Sequence, residues 1–492
     1  MNQFESPTLQ RKIFIQSANK FDMYFTILFL TTLFSDDKLC FFAIILFGYM
    51  DSILLKNTIF VNENSVSIKD ILIDQYRIEK IADTIQVKYN CKEINCEGLY
   101  LIPGVIDDQV HFREPGLTQK ATIASEARAA IAGGVTTFME MPNTNPAALT
   151  QELLEEKYKI AANSSIANYS FFMGTSNDNI DEVLRTNERK KNVCGIKIFM
   201  GSSTGNMLVD NYITLNKIFS EAEVLIATHC EDERIIEANK IKFSDANDVS
   251  LHPFIRNIDA CFESSFSAVQ LAKKHNTRLH ILHISTAKEL QLFTNFFPLK
   301  DKRITSEVCV HHLHFTADDY KQLGNQIKCN PAIKSSENKA ALWEGLLDDR
   351  LDIIATDHAP HTWEEKCQPY QKAPSGLPLV QHSLLTMLYY VKQGKIPIEK
   401  VVEKMCHAPA ECFQIAERGY IREGYFADLV LVDLNNKTKV NKGNILYKCG
   451  WSPFEGFEFP ASIKYTFVNG EIAYENGKVN EDVRGKRISF NR

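Results

Sequence analysis

Residues 103–116, PGVIDDQVHFREPG, decide the fold because the predicted secondary structure of the chain changes at this stretch. It opens with a turn-forming Pro-Gly pair, continues as a short apolar run and ends in polar residues that include His111 and Arg113. Before it, short β-rich runs alternate with polar turns. After it, apolar strands alternate with amphipathic helical patterns for about three hundred residues.

This alternation predicts a (β/α)8 TIM-type barrel over residues 104–415. Candidate strands begin near eight positions: Val105, Val135, Ala167, Cys194, Val224, Arg278, Ile304 and Ile353. Helical patterns lie between them, for example over residues 121–132, 152–162, 261–275 and 287–293. In such barrels the chemistry is located at the C-terminal ends of the strands, so polar residues that end apolar runs are the functional candidates.

Both ends of the predicted fold are rich in β patterns. Short β runs occupy residues 50–103 and 416–485, and Asn469-Gly470 is a typical hairpin turn between two of them. We therefore expect the two ends to meet in one small β-sandwich domain beside the barrel.

Residues 1–49 differ from the rest, since they hold nine of the 31 phenylalanines of the chain. Their two apolar runs, residues 23–34 and 39–50, are each shorter than the ~20 residues that span a bilayer. We expect this stretch to be an extension outside the fold, with a misassigned start as one explanation.

The composition excludes several classes of protein. The chain has 492 residues, of which 45% are hydrophobic and 24% charged, as in folded globular proteins. The net charge is -6 and there is no basic block, which argues against nucleic acid as a partner. The 12 cysteines show no disulfide-framework spacing, so we expect a reducing, cytoplasmic location without a membrane partner.

Polar residues at five predicted strand ends indicate a metal site. His111, His229 and His283 offer imidazole nitrogens and Asp357 offers a carboxylate, the donors that Zn²⁺ takes in catalytic sites. Lys197 lies among isoleucines in the fourth strand and would be costly to bury without a partner. It is either ion-paired with a carboxylate or carbamylated by CO₂ into an anionic metal ligand.

Several motifs together resemble the cyclic amidohydrolases and, among them, the dihydroorotases. The motifs are HFREPG (111–116), MPNT (141–144), THCE (228–231), DHAPH (357–361) and SPFEG (452–456). The resemblance covers residues 50–478. It implies a metal-dependent enzyme that interconverts N-carbamoyl-L-aspartate and L-dihydroorotate, a small-molecule substrate pair of pyrimidine synthesis.

The resemblance also implies a role for each matching residue. The implied metal ligands are His111, carboxylated Lys197, His229, His283 and Asp357. Asp357 would also act as the catalytic proton acceptor and donor. The implied substrate contacts are Arg113, Asn143, Asn330 and His361. The cofactors would be Zn²⁺ and the CO₂-derived carbamate on Lys197.

At two positions the sequence differs from the residues that are usual in the dihydroorotases it resembles. Gln109 stands where a second first-strand histidine is usual, and Lys334 stands where an arginine is common. We therefore expect one tight Zn²⁺ site and a weaker second one at His111 and Asp357. The sequence His311-His312-x-His314 looks like a metal motif, but it belongs to the seventh-strand pattern and we expect no ligation there.

Two other functions remain open. A hydantoinase or allantoinase would share the metal site, but those relatives typically lack an arginine at the position of Arg113. A non-catalytic dihydroorotase-like subunit that supports an aspartate transcarbamoylase is favoured only by Gln109. The sequence leaves the oligomeric state open, with a homodimer as one outcome.

Overall fold

The structure, a computed structural model, describes residues 52–201, 207–244 and 247–492. The predicted extension over residues 1–49 lies outside this range. The N-terminal strands are β1 (Ile53–Asn62), β2 (Ser65–Asp74), β3 (Arg77–Ala82), β4 (Lys92–Asn95) and β5 (Tyr100–Pro103). The middle strands are β6 (Val105–Val110), β7 (Val135–Glu140), β8 (Asn168–Gly174), β9 (Gly195–Phe199), β10 (Ile226–His229), β11 (Leu279–Ile281), β12 (Ile304–Cys309) and β13 (Ile353–Ala355). The C-terminal strands are β14 (Leu429–Asp433), β15 (Thr438–Lys439), β16 (Glu458–Phe459), β17 (Ser462–Val468), β18 (Glu471–Glu475) and β19 (Lys478–Val479).

Strands β6 to β13 form the predicted barrel. Each strand pairs in parallel with the next one along the chain. A parallel bridge between Val110 and His358 brings the two ends of this sheet together. Every residue of β6, β7, β8 and β9 is buried, as expected for parallel strands that are covered on both faces. All eight predicted barrel strands are confirmed.

Helices connect the strands. The α-helices are Ile123–Ala132, Gln151–Ser164, Ile180–Leu184, Tyr212–Glu221, Glu233–Lys242, His252–Ile255, Ile258–His275, Val310–His314, Tyr320–Leu323, Ser336–Leu347, Trp363–Lys366, Ser383–Lys392, Ile398–Val402 and Ala408–Phe413. The 3-10 helices are Arg185–Arg189, Val249–Leu251, Glu289–Leu292, Leu299–Asp301, Ala317–Asp319 and Gly324–Ile327, and Glu403–His407 is a π-helical turn. None of the helices in the described ranges has the length and apolar character needed to cross a membrane.

Local sequence explains where several helices begin. The Thr122 hydroxyl accepts a hydrogen bond from Ser125 N, and the Asp232 carboxylate accepts one from Ile235 N. Such caps satisfy backbone donors that have no partner within the helix. The pattern predicted over residues 287–293 forms only the 3-10 helix Glu289–Leu292, because seven residues are too few for an independent α-helix.

The β-rich ends of the described chain meet in one nine-stranded sheet. Its order is β19-β18-β17-β14-β5-β1-β2-β3, and β4 pairs with β1. One apolar cluster includes Ile78 of β3 and Phe467 of β17, so side chains from both ends of the described chain share a core. The expected sandwich is therefore one continuous sheet, because β14 pairs directly with β5. The domain limits 50–103, 104–415 and 416–485 stay a prediction.

The last residues of the chain run along the barrel. Gly485 N donates to Ser165 O over 2.9 Å, and Arg487 forms a bridge with Tyr169 of β8. Ile488 and Phe490 are buried in an apolar cluster that also contains barrel residues. Residues 485–492 thus attach the C-terminal end to the barrel.

Candidate functional site

The five predicted metal ligands lie at the C-terminal ends of the barrel strands. His111 follows β6, Lys197 lies within β9 and His229 ends β10. His283 and Asp357 lie two residues beyond the ends of β11 and β13. All five residues are between 1% and 7% exposed. Because parallel strands end together at one rim of the barrel, residues far apart in sequence become neighbours there.

Four of these side chains form two close pairs. His111 Nε2 lies 3.1 Å from Asp357 Oδ1, and His229 Nδ1 lies 2.9 Å from His283 Nε2. Two ring nitrogens at that distance must share a proton or a cation, because two lone pairs would repel each other. His111 Nδ1 donates to Asn143 Oδ1 over 2.7 Å, which leaves the Nε2 lone pair directed at the site. Metal-binding imidazoles are commonly oriented in this way.

Lys197 interacts electrostatically with both pairs. Its Nζ makes no hydrogen bond with any described residue and lies 4.6 Å from the centroid of the Phe199 ring. Burial lowers the pKa of Lys197 to about 7, although Asp357 acts in the opposite direction. An ammonium group buried without a partner is costly. The orphaned nitrogen therefore fits a lysine that is modified or linked to a metal.

Burial keeps the three imidazoles neutral. It is the main cause that lowers the pKa values of His111, His229 and His283, and Lys197 adds to this effect at the last two. Neutral rings carry a lone pair and can bind a metal ion at neutral pH. With the Asp357 carboxylate, these donors fit a divalent metal ion.

Gln109 faces the pair formed by His111 and Asp357. Its Nε2 donates to Asp357 Oδ1 over 3.3 Å, and its Oε1 lies 3.7 Å from Cys309 Sγ. Gln109 therefore lies beside His111 and Asp357, where the sequence analysis expects a metal position that lacks one imidazole ligand.

Arg113 and His361 lie beside these residues and contact each other. Arg113 Nη2 lies 3.2 Å from His361 Nε2, and Arg113 Nε donates to Pro360 O over 3.1 Å. Lys120, which sequence reasoning missed, donates from Nζ to His361 Nδ1 over 3.0 Å. Burial lowers the pKa of Arg113 to about 10 while Asp357 opposes this change, so the guanidinium and the carboxylate are close enough to interact. Arg113 and Lys120 bring two cationic side chains to His361, and Lys120 Nζ also lies 3.0 Å from Glu365 Oε1.

The two predicted amide contacts lie in different surroundings. Asn143 is paired with His111, on the side of the site built from β6 and β7. Asn330 Oδ1 accepts from His252 Nε2 over 3.1 Å, and His252 Nδ1 lies 3.0 Å from the Tyr370 hydroxyl. Arg113, Asn143 and His361 are thus placed near the predicted ligands, whereas Asn330 belongs to the loop after β12.

Buried acids hold the backbone at the strand ends. Three of the candidates have φ in the left-handed region, which side chains rarely adopt: Arg113 (68°), His283 (41°) and Asp357 (47°). Glu307 Oε1 accepts from His283 N over 3.0 Å, and Glu140 Oε1 accepts from Phe112 N over 3.0 Å. Sequence reasoning missed both glutamates, although an acid inside an apolar strand was the available signal.

Two further groups of potential ligands occur within the described residues. Each consists of three buried side chains whose ligand atoms lie within 4.8 Å of one another. The groups are Asp108, His280 and Glu307, and Cys309, His311 and His312. The sequence analysis singled out His311 and His312 as part of the His311-His312-x-His314 motif and expected no ligation there, and it did not consider Asp108, His280 and Glu307 as ligands.

Comparison with known proteins identifies the family. The family model described as Amidohydrolase family matches residues 100–473 of this chain. The chain is 33% identical over 445 residues to a dihydroorotase from Methanosarcina acetivorans, covering 88% of this chain and 94% of that protein. It is 31% identical over 437 residues to a dihydroorotase from Staphylococcus aureus strain Mu50, covering 86% and 100%. An L-hydantoinase (dihydropyrimidinase) structure from Arthrobacter aurescens matches with a TM-score of 0.84 and 27% identity, over 89% of this chain and all of that one. The chain belongs to the amidohydrolase family.

Proposed function

We propose that this protein is a dihydroorotase, which reversibly cyclises N-carbamoyl-L-aspartate to L-dihydroorotate. The observation that carries the proposal is the position of Arg113, which follows His111 by two residues and contacts Pro360 O and His361 in the loop after Asp357. Both the substrate and the product carry a carboxylate, which an arginine can bind through two parallel hydrogen bonds. The names of the similar dihydroorotases support the same activity.

We infer that the donor set at the strand ends holds Zn²⁺. His229, His283 and a carbamate formed from Lys197 and CO₂ would hold one ion tightly. His111, Asp357 and the same carbamate would hold a second ion more weakly, because Gln109 replaces an imidazole there. The neutral amine favoured by the low pKa of Lys197 is the form that reacts with CO₂. A bound Zn²⁺ ion supplies Lewis acidity, which lowers the pKa of water and polarises an amide carbonyl.

Side chains of the protein bind the substrate and transfer the proton. Arg113, Asn143 and His361 bind and orient the substrate carboxylate, and Asn330 is a further substrate contact. Asp357 takes a proton from the attacking water during ring opening and returns it to the departing ring nitrogen. Its Oδ1 already faces His111 and Gln109, so we assign the proton transfer to Oδ2. Ring closure uses the same groups in reverse.

A hydantoinase is the second candidate, because solved hydantoinase structures share this fold. A hydantoin ring needs no carboxylate contact, so the cationic side chains of Arg113 and Lys120 beside His361 favour dihydroorotate. The non-catalytic alternative is favoured by Gln109 alone. Lys197, His229, His283 and Asp357 all remain in place, and a subunit without catalysis has no need for them.

The partner that we propose is therefore a small molecule, with a homodimer as the assembly to test. The cytoplasmic location stays a prediction.

The test is a paired assay of the purified full chain, loaded with zinc in bicarbonate buffer. We expect cyclisation of carbamoyl-aspartate and hydrolysis of dihydroorotate, both abolished by a chelator and restored by Zn²⁺. Hydantoin and allantoin serve as control substrates and should turn over at least 100-fold more slowly. Absence of dihydroorotate turnover with full metal loading would contradict the proposal, and preferential turnover of hydantoin would favour the second candidate.

A further inference from the structure

A group of three buried side chains at the end of β12 takes no part in the function proposed above. Cys309 is the last residue of this strand, and His311 and His312 lie in the short helix Val310–His314. One ligand atom from each lies within 4.8 Å of the others. The residues are 0%, 0% and 3% exposed. They bring a thiol and two imidazoles together without solvent.

The orientation of His312 is that of a metal ligand. Its Nε2 lies 3.1 Å from Pro331 O. A carbonyl oxygen can only accept, so Nε2 carries the hydrogen and Nδ1 carries the lone pair. Nδ1 has no hydrogen-bond partner among the described residues. Histidines that bind metals typically donate their other N–H to a carbonyl or carboxylate in this way.

His311 provides an independent observation. Both of its ring nitrogens are buried and make no hydrogen bond with described residues. The backbone of Thr356 interacts with the ring but lies outside hydrogen-bonding geometry. Leaving a buried polar group unsatisfied costs about 1–3 kcal/mol. With His312, three buried ring nitrogens lack a hydrogen-bond partner among the described residues, and a bound cation would satisfy one nitrogen of each ring.

Two side-chain oxygen atoms lie near the Cys309 thiol. Its Sγ lies 3.7 Å from Gln109 Oε1 and 4.0 Å from Glu307 Oε1. Burial and then the negative charges of Glu307 and Asp357 hold the pKa of the Cys309 thiol well above its ordinary value. A metal ion reverses this situation, because a coordinating thiol loses its proton outright.

We propose that Cys309, His311 and His312 bind a divalent transition-metal ion at a site separate from the ligands assigned to catalysis. One thiolate and two imidazoles are a typical donor set for Zn²⁺. Binding converts the Cys309 thiol to a thiolate and releases one proton to solvent. Because His312 also holds Pro331, the ion would tie the end of β12 to the loop that contains Asn330.

The new site lies beside Gln109 but does not use Gln109 as a ligand. The replacement of an imidazole by Gln109, which weakens the second catalytic metal position, therefore does not weaken the new site. We therefore expect the zinc content of the protein to include one ion with a sulfur ligand. The ligands assigned to catalysis contain no sulfur, so a zinc–sulfur signal comes from a site other than the catalytic one, and the Cys309 variant assigns it.

The test is X-ray absorption at the zinc edge of the full-length, zinc-loaded protein. We expect a sulfur neighbour at about 2.3 Å besides nitrogen and oxygen neighbours at about 2.0–2.1 Å. Replacement of zinc by cobalt should also produce a thiolate-to-cobalt charge-transfer band in the near ultraviolet. A zinc shell made only of nitrogen and oxygen, or a cobalt protein without that band, would overturn the proposal.

Variants locate the sulfur ligand. Cys309→Ser should remove the sulfur signal and about one equivalent of zinc per chain. Cys406→Ser is the matched control, since Cys406 is also a buried thiol but contacts Pro103 O, and it should keep both. If the Cys309→Ser protein does not fold, His312→Gln should lower the sulfur signal instead. A sulfur signal that persists in Cys309→Ser would assign it to another cysteine and refute the site.

This outcome and that of the activity test are independent. Zinc–sulfur coordination in an inactive protein would sink the proposed function and leave the new site standing. Turnover by a protein whose zinc has no sulfur ligand would support the proposed function and refute the new site.

Discussion

Arg113 is already held in position by the protein. One of its nitrogens donates to Pro360 O and another lies next to His361. The guanidinium has five N–H donors in a planar fork, so several remain for a ligand. A lysine at this position would keep the charge but lose the fork and its two-point geometry.

We predict that Arg113→Lys lowers kcat/KM for dihydroorotate by about 10- to 100-fold, because a charged hydrogen bond contributes roughly 1.5–3 kcal/mol. The zinc content should not change, since Arg113 is not an assigned metal ligand. Steady-state kinetics and elemental analysis of the same preparation check both statements.

Arg128→Lys is the matched control, because Arg128 lies on the surface in an ion pair with Glu481. It should leave the kinetics unchanged. Wild-type kinetics in Arg113→Lys would remove the argument for a carboxylate-bearing substrate.

At the scale of the element, one buried ion pair connects a helix to the rim of the barrel. Lys157 of the helix Gln151–Ser164 lies 2.6 Å from Glu140 Oε2 at the end of β7, and Lys157 Nζ also donates to Met141 O over 2.9 Å. The other oxygen of Glu140 accepts from Phe112 N, next to Arg113. The pair therefore links helix packing to the backbone that carries Arg113.

We predict that Lys157→Met lowers the free energy of unfolding by about 3–5 kcal/mol, because it leaves the Glu140 charge buried without a partner. The double variant Glu140→Gln with Lys157→Met should recover part of this loss, since an amide is cheaper to bury than a carboxylate. Urea unfolding of the three proteins at pH 7 measures the coupling between the two residues.

An exposed ion pair serves as the control. Lys190 pairs with Glu223 at the surface, and Lys190→Met should cost less than about 1 kcal/mol. If Lys157→Met costs no more than this surface change, the buried pair does not stabilise the fold.

At the scale of the whole molecule, strands from both ends of the described chain form one sheet, and the last residues pack elsewhere. The N-terminal strands share one sheet with β14, β17, β18 and β19, while the final residues pack on the barrel. Ile488 and Phe490 are 2% and 3% exposed there, and Arg492 Nη2 donates to Cys194 O and Phe413 O over 2.7 Å.

We predict that deletion of residues 486–492 lowers the free energy of unfolding by about 3–6 kcal/mol. The reason is that burial of each large apolar side chain contributes roughly 1.5–3 kcal/mol. Deletion of residues 1–49 is the comparison, and we predict that it leaves both stability and activity intact because β1 begins at Ile53. Urea midpoints followed by circular dichroism test both truncations. A stable protein without residues 486–492, or an unfolded one without residues 1–49, would contradict the respective prediction.

The sequence alone determined the barrel and the kinds of residue at its rim. Each strand is a local apolar run and the longer helices have an apolar period of their own, so both can be read without knowledge of distant contacts. The histidines, Lys197 and Asp357 could be recognised for the same reason, since they interrupt or end such runs. The exception, residues 287–293, had too few residues for its local pattern to determine a helix.

Only the tertiary structure decided which of these residues meet. His111 and Asp357 are 246 residues apart, and Gln109 and Cys309 are 200 apart, yet both pairs are in contact. The unpartnered nitrogens of His311 and His312 and the positive φ of His283 were equally invisible in the sequence. These features arise when the barrel closes and its strand ends are packed against one another, and no local pattern records that packing.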